Sequence, residues 1–211
     1  MTKITTILFD LDGTIINTPK LIMESFKFAI KENSDYNLND DEITNVLGQT
    51  LDKAFKPFAN DLNHLNKMIQ SFRDYSNIHG DDIKVFDGVY ETLNYLKDKK
   101  YTLGIVTSKS KKIALKNLKD LNLVNYFNCV VTYEDTKLHK PNKEPLLKGL
   151  DLLGKAVEES IYIGDHENDI KAGKNALMKT GLMNYSHRLK EAKALNPNYI
   201  FDSFNSIKQL F

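Results

Sequence analysis

Thr5-Thr-Ile-Leu-Phe9, followed at once by Asp10-Leu-Asp12-Gly-Thr14, is the stretch on which the reading of the fold turns. The run is β-branched and aromatic, too short for a helix, and it stops at a carboxylate. It reads as a buried strand that delivers Asp10 at its end.

Working outward, Thr18 offers a cap and Pro19 fits the first position of a helix running to about Lys31. Leu21, Ile22, Ser25, Phe26, Ala29 and Ile30 share one face of it. From there to about residue 82 the pattern is helical, with no convincing strand. The clearest segment is Leu62–Ser76, where Leu65, Met68, Ile69, Phe72 and Tyr75 form an apolar stripe. After the polar stretch Gly80-Asp-Asp82 the pattern changes to alternation. A helix over Gly88–Lys97 leads to a strand over Tyr101–Val106, and Ser110 is placed to cap a helix over Lys111–Leu121. Cys129–Val131 is the next strand, a helix opens at Asn142 and Pro145, and Ser160–Ile163 is a strand ending at Gly164-Asp165. A helix near Ile170–Ala176 and strands near Lys179–Met183 and Tyr199–Phe201 complete the series.

Strands separated by helices of this length require right-handed crossovers, so the fold class is α/β, a doubly wound and mostly parallel sheet. Residues 1–16 and 83–211 are expected to form the α/β core, and residues 17–82 an inserted all-helical domain.

Composition narrows the function. The 211 residues carry 29 basic and 28 acidic side chains, a net charge of +1, and only two arginines, Arg73 and Arg188. A nucleic-acid binder needs a dense basic face, and this balance argues against one. No segment has the length of a membrane span. The one cysteine, Cys129, forbids an intrachain disulfide and reads as a buried structural thiol. Met1–Thr6 lacks the apolar run of a signal peptide, so a cytoplasmic protein is expected.

In an open parallel sheet, ligands bind beyond the carboxyl ends of the strands. Asp10 and Asp12, Thr107, and Asp165 each sit at such an end, with Lys140 in the loop after the Cys129 strand. Asp10, Asp12, Asp165 and Asp169 are too many carboxylates to share a crevice without a counter-charge, and Mg2+, a hard cation with oxygen ligands, is the natural one. Lys140 and the Thr107 hydroxyl add a positive charge and a donor for phosphate oxygens. Phosphoryl transfer needs these parts, because its catalysis is mainly positioning and charge neutralisation.

Asp10-Leu-Asp12-Gly-Thr14, Ile105-Val-Thr107-Ser108, Lys140-Pro141 and Gly164-Asp165-His-Glu-Asn-Asp169, in that order, resemble the motifs of the haloacid dehalogenase superfamily, most of whose members are phosphatases. The resemblance spans essentially the whole chain, and it implies that the inserted helical domain is a cap. It implies Asp10 as nucleophile and metal ligand. Asp12 then protonates the leaving oxygen and activates water, with its backbone carbonyl on the metal. Thr107 and the Ser108 amide bind the phosphoryl group, Lys140 offsets its charge, Asp165 completes the protein ligands, and Asp169 supports the metal-bound waters. Gly48, Gln49, Lys53 and Arg73 are the cap residues expected to touch substrate. Asp12 argues for an oxygen leaving group, and Thr14 with an arginine-free Leu47–Leu51 favours hydrolysis over the alternative of a sugar phosphomutase. A phospho-receiver domain is opposed by the order of the acidic residues. The closest likeness is to phosphoglycolate phosphatases and capped bacterial pyrophosphatases, and Ile16-Asn-Thr18 tilts it toward the latter. The expected partner is a small phosphorylated molecule, with no nucleic acid and no membrane, and the protein a monomer or homodimer. His166 is read either as facing the cleft or as an exposed residue at a helix start.

Overall fold

The computed structural model describes residues 3–80 and 83–211. Of the stretch expected to separate the domains, Asp81 and Asp82 lie outside the described residues, as do Met1 and Thr2. The chain forms two compact units, Met1–Asn17 with Lys84–Phe211, and Thr18–Ile83.

In the first unit, six strands among the described residues make one parallel sheet: β1 (Thr6–Phe9), β2 (Thr102–Val106), β3 (Cys129–Val131), β4 (Ser160–Gly164), β5 (Lys179–Met183) and β6 (Tyr199–Phe201), in the order β3-β2-β1-β4-β5-β6. Phe9 stands opposite Ile105 on one side and Ile163 on the other, so β1 is central and buried along its length. A strand covered on both faces has no polar positions to alternate, hence the unbroken Ile7-Leu-Phe9 run. Side chains still alternate by face. Leu8 packs with Val106, Val131, Leu146, Leu150 and Tyr162 beneath α7 (Glu144–Leu153) and α8 (Glu167–Asn175). Phe9 instead stacks on Phe204 at 5.5 Å, next to the short 3-10 helix Phe204–Gln209, which packs on α5 (Val89–Asp98).

The chain adds β2 and β3 on one side of β1 and then crosses to place β4, β5 and β6 on the other. The winding therefore reverses between β1 and β4, where an open α/β sheet leaves a crevice at its carboxyl edge. Asp10 and Asp165 follow these two strands directly.

In the second unit, α1 (Pro19–Asn33) packs along α4 (Leu62–Ile78), with the short α2 (Asp40–Asn45) and α3 (Leu51–Phe55) between them in sequence. Phe26, Ala29, Ile30, Phe55, Met68, Ile69 and Phe72 form its core, each large side chain contributing about 1.5–3 kcal/mol by burial. Asn39 and Glu42 close a reciprocal capping box on α2, and the Asp61 carboxylate accepts the His64 N–H at 2.7 Å to start α4. No helix of the described residues is long and apolar enough to cross a membrane.

Several local expectations differ from the structure. Thr18 and Ser110 stand at N-cap positions, but neither side chain accepts a capping bond from its helix. One helix late in the first unit, α9 (Leu189–Ala194), has only six residues and is too short to show a helical period in sequence. Cys129 is half-buried, and burial pushes its thiol up to about 11, which leaves little reactive thiolate at neutral pH.

Candidate active site

Asp10 remains tied to the sheet: its backbone N–H donates to the Ile163 carbonyl at 2.9 Å. The chain then folds into a tight turn. The Ile15 and Ile16 amides both donate to the Leu11 carbonyl at 3.0 Å, and the Gly13 amide to the Ile16 carbonyl at 2.9 Å. Gly13 has φ +76°, and a Cβ there would overlap the Asp165 carboxylate, so only glycine serves both the turn and the packing. Asp12 lies in this turn, which is secured from outside. The Tyr185 hydroxyl donates to the Thr14 carbonyl at 2.7 Å, and its ring stacks on Phe86 at 4.3 Å.

The other motif residues converge on Asp10. The Thr14 hydroxyl donates to Asp165 at 3.2 Å. Asp169 is aimed by the start of α8, where its carboxylate accepts the His166 N–H at 2.9 Å while His166 Nδ1 accepts the Asn168 N–H at 3.0 Å. His166 thus does stand at a helix start, but it is buried rather than exposed. Its Nδ1 is an acceptor, so the neutral ring carries its proton on Nε2, 3.3 Å from Glu167. Burial holds the imidazole below its ordinary range, with the Glu167 and Asp169 carboxylates opposing. Lys140 is buried as well, 2.9 Å from Asp10 and 2.7 Å from Asp169.

Carboxylate oxygens of Asp10, Asp165 and Asp169 lie within 4.8 Å of one another, all buried. Burial pushes Asp10 up to about 7, with Lys140 opposing and Asp169 and Asp12 adding to the rise. Asp165 is driven well above the carboxylate range by burial and by repulsion from Asp169 and Asp10. Burial alone would lower Lys140, but the Asp10 and Asp169 carboxylates more than offset that and hold it charged. One ammonium against three carboxylates leaves the cluster short of positive charge, which is the donor set and the deficit that a hard divalent cation fits.

Thr107 directly follows β2, buried, with its N–H on the Val131 carbonyl at 2.9 Å, and Ser108 comes next. The Asp12 carboxylate stands apart from the group of three and is paired with Lys109 at 2.6 Å. Gly48 (φ +70°) follows α2, and Gln49 donates its amide to the Asn45 carbonyl. Lys53 on α3 and Arg73 on α4 are exposed. These four belong to the second unit.

Residues 7–183 match the family model of the haloacid dehalogenase-like hydrolases. The chain belongs to that family. It is 35% identical to pyrophosphatase PpaX of Halalkalibacterium halodurans, over 95% of this chain and 94% of that protein. To pyrophosphatase PpaX of Bacillus mycoides it is 34% identical, over 97% of this chain and 95% of that one. The solved structure of a predicted phosphatase from Clostridium acetobutylicum superposes with a TM-score of 0.85 at 28% identity, covering 99% of this chain and 98% of that one. The protein is therefore an enzyme of the haloacid dehalogenase-like hydrolases, and the doubly wound core is theirs.

Three site neighbours of this hydrolase escaped the sequence reading. Tyr162, between Ile161 and Ile163 on β4, looks like one more core residue, yet its hydroxyl lies 2.9 Å from the Lys140 ammonium. Lys109 follows Thr107-Ser108 closely enough to have drawn notice, although its pairing with Asp12 has no signature in spacing. Tyr185 sits in a loop with no periodic signal. The packing also makes Gly164 a sensitive position, because a Cβ there would overlap the Asp169 carboxylate. Gly164→Ala is expected to displace Asp169 and to lower kcat by roughly 100-fold, the scale of an ångström-sized misplacement. Steady-state kinetics with a circular-dichroism check of folding would read this.

Proposed function

We propose that this hydrolase is a magnesium-dependent phosphatase that works through an aspartyl-phosphate on Asp10, with inorganic pyrophosphate its leading substrate and small phosphorylated metabolites such as phosphoglycolate the other class. The observation that carries the reading is the buried cluster in which Lys140 bridges Asp10 and Asp169 while Asp165 completes three convergent carboxylates. The pyrophosphate preference is supported by the relatives named pyrophosphatase PpaX, which match nearly the whole chain.

In this reading Asp10 attacks phosphorus and the leaving oxygen takes a proton from Asp12. Asp12 then removes a proton from the water that attacks the phosphorylated Asp10, releasing phosphate and restoring the carboxylate. The Thr107 hydroxyl and the Ser108 amide hold phosphoryl oxygens, and the Lys140 ammonium offsets the charge on Asp10 and the phosphoryl group. Asp10, Asp165, Asp169 and the Asp12 carbonyl are the groups that would hold Mg2+ or its waters, and the ion would supply charge neutralisation of the phosphoryl oxygens. Gly48, Gln49, Lys53 and Arg73, in the helical unit read as a cap, are the proposed contacts to the leaving group. The enzyme is taken to be cytoplasmic, a monomer or homodimer, acting on neither nucleic acid nor membrane.

Cation binding has a readout independent of turnover. At a Mg2+ concentration one hundred times its dissociation constant, stability should rise by about 2.7 kcal/mol. The thermal midpoint should climb with MgCl2 and respond little in Asp165→Asn. An equal climb in that variant would remove Asp165 from the site.

Phosphate release tests the function, measured with Mg2+ and with chelator on pyrophosphate, phosphoglycolate, sugar phosphates, nucleotides and an aryl phosphate. Mg2+-dependent release, largest for pyrophosphate and missing in Asp10→Asn, is the expected result. Release that persists in the variant would contradict the assignment.

A further inference from the structure

The Lys140 ammonium donates to Asp169 at 2.7 Å and to the Tyr162 hydroxyl at 2.9 Å, and it is ion-paired at 2.9 Å with an Asp10 oxygen that accepts no hydrogen bond among the described residues. Two directed bonds and one close ion pair fix where the ammonium sits. Two of these partners are carboxylates of the cluster. The third is neutral, and it belongs to a fully buried ring in the middle of β4.

Tyr162 does more than accept a bond from Lys140. Its own hydrogen goes to the Val106 carbonyl at 2.8 Å, with Asp169 a longer second choice at 3.3 Å. The Val106 carbonyl belongs to the same peptide as the Thr107 N–H, which in turn donates to Val131 at 2.9 Å. One hydroxyl therefore joins three separate parts of the chain: the end of β2 that carries Thr107, the loop that carries Lys140, and β4.

We propose that Tyr162 is a positioning residue for the reaction, its hydroxyl setting the Lys140 ammonium against Asp10 and holding it in register with the peptide of Thr107. The proposal rests on the reading of Asp10 and Lys140 given above. It also narrows the part Lys140 plays. Held by Asp169 and Tyr162 beside Asp10, the ammonium acts on phosphoryl transfer chiefly through its charge on Asp10. Of these three partners Tyr162 is the neutral one, so its removal loosens the ammonium without exposing a carboxylate.

Tyr162→Phe tests this, because the ring is kept and only the hydroxyl is lost. Two readouts are taken on the whole protein with Mg2+. The first is the division between kcat and KM for pyrophosphate and an aryl phosphate. The expected result is a fall in kcat of roughly tenfold with KM within twofold, the size of one hydrogen bond to a charged group. The second is the nitrogen-15 spectrum of the lysine side chains. Lys140 is the only lysine buried among the described residues, so its ammonium should give the one slowly exchanging signal in the parent protein, and that signal should vanish in Tyr162→Phe. A variant with kcat within twofold of the parent overturns the proposal, as does an ammonium signal that persists at full intensity. A variant that no longer folds overturns it too, since the hydroxyl would then serve the fold. Absence of hydrolysis by the parent protein would instead fail the reading of the site, while the ammonium signal would still report on Tyr162.

Discussion

Asp10→Asn is expected to reduce turnover by at least about four orders of magnitude, in line with the loss of a nucleophile from an enzyme that forms a covalent intermediate. The geometry sharpens the expectation. Asp10 lies at the end of the central strand, bonded through its backbone to Ile163, and this tether is untouched by the change. The amide is nearly the shape of the carboxylate, so the fold should survive. What disappears is the negative oxygen proposed to attack phosphorus. The substitution also removes one of three mutually repelling carboxylates, so the variant should be at least as stable as the parent protein without metal. Lost turnover with undiminished stability is the combined result to look for, by phosphate release and urea unfolding on the same preparation. Lost turnover with lost stability would mean that Asp10 serves the fold instead.

Lys140→Met should behave in the opposite way, with both properties lost. The ammonium is buried and bridges Asp10 and Asp169, so its removal leaves those carboxylates without their cation. Breaking a buried pair from one side costs about 3–5 kcal/mol, most of it the penalty of the stranded charges. That loss should be read in urea without Mg2+ and should shrink when Mg2+ is added, since a bound cation replaces part of the missing charge. Turnover should fall by roughly 100- to 1,000-fold even with Mg2+ saturating, the scale seen when one fixed electrostatic partner of a transition state is removed. A variant as stable as the parent in the absence of Mg2+ would show that the carboxylates are already protonated there and need no ammonium.

The two substitutions probe opposite charges in one cluster, and the contrast follows from how the fold assembles it. The crevice between β1 and β4 forms because the winding reverses there, and the first residue past each strand is an aspartate. Parallel strands buried on both faces give unbroken apolar runs, so Ile7-Leu-Phe9 and Ile161-Tyr-Ile163 stand out in the sequence, and the polar residues that end them stand out equally. Three of the four motifs are legible for this reason, each a strand end with its next few residues, whereas Lys140-Pro141 lies in the loop beyond β3 and is legible as a short local pair. The stripe Met68, Ile69 and Phe72 on α4 is legible for the related reason that a long amphipathic helix repeats its pattern.

What could not be read is what tertiary contact decides. Lys109 meets Asp12 across 97 residues of sequence, and Tyr185 meets Thr14 across 171. No periodicity encodes such pairs. Tyr162 was hidden in a different way, because a tyrosine between two isoleucines satisfies every rule for a buried strand residue while its hydroxyl performs a polar task. For His166 the sequence left two readings open, facing the cleft or exposed at a helix start; it stands at the helix start but is buried there with the cluster. α9 failed on length, and the side chains of Thr18 and Ser110 on the difference between occupying a cap position and making the bond.

The most direct test of the central claim is to catch phosphate on Asp10. The protein is mixed with pyrophosphate and Mg2+, quenched in acid within the first turnover, digested and weighed peptide by peptide. The account predicts a phosphate-sized mass increment on the peptide that carries Asp10, present before steady state, dependent on Mg2+, and absent in Asp10→Asn. Steady hydrolysis with no increment on that peptide, or with the increment on another residue, would contradict it.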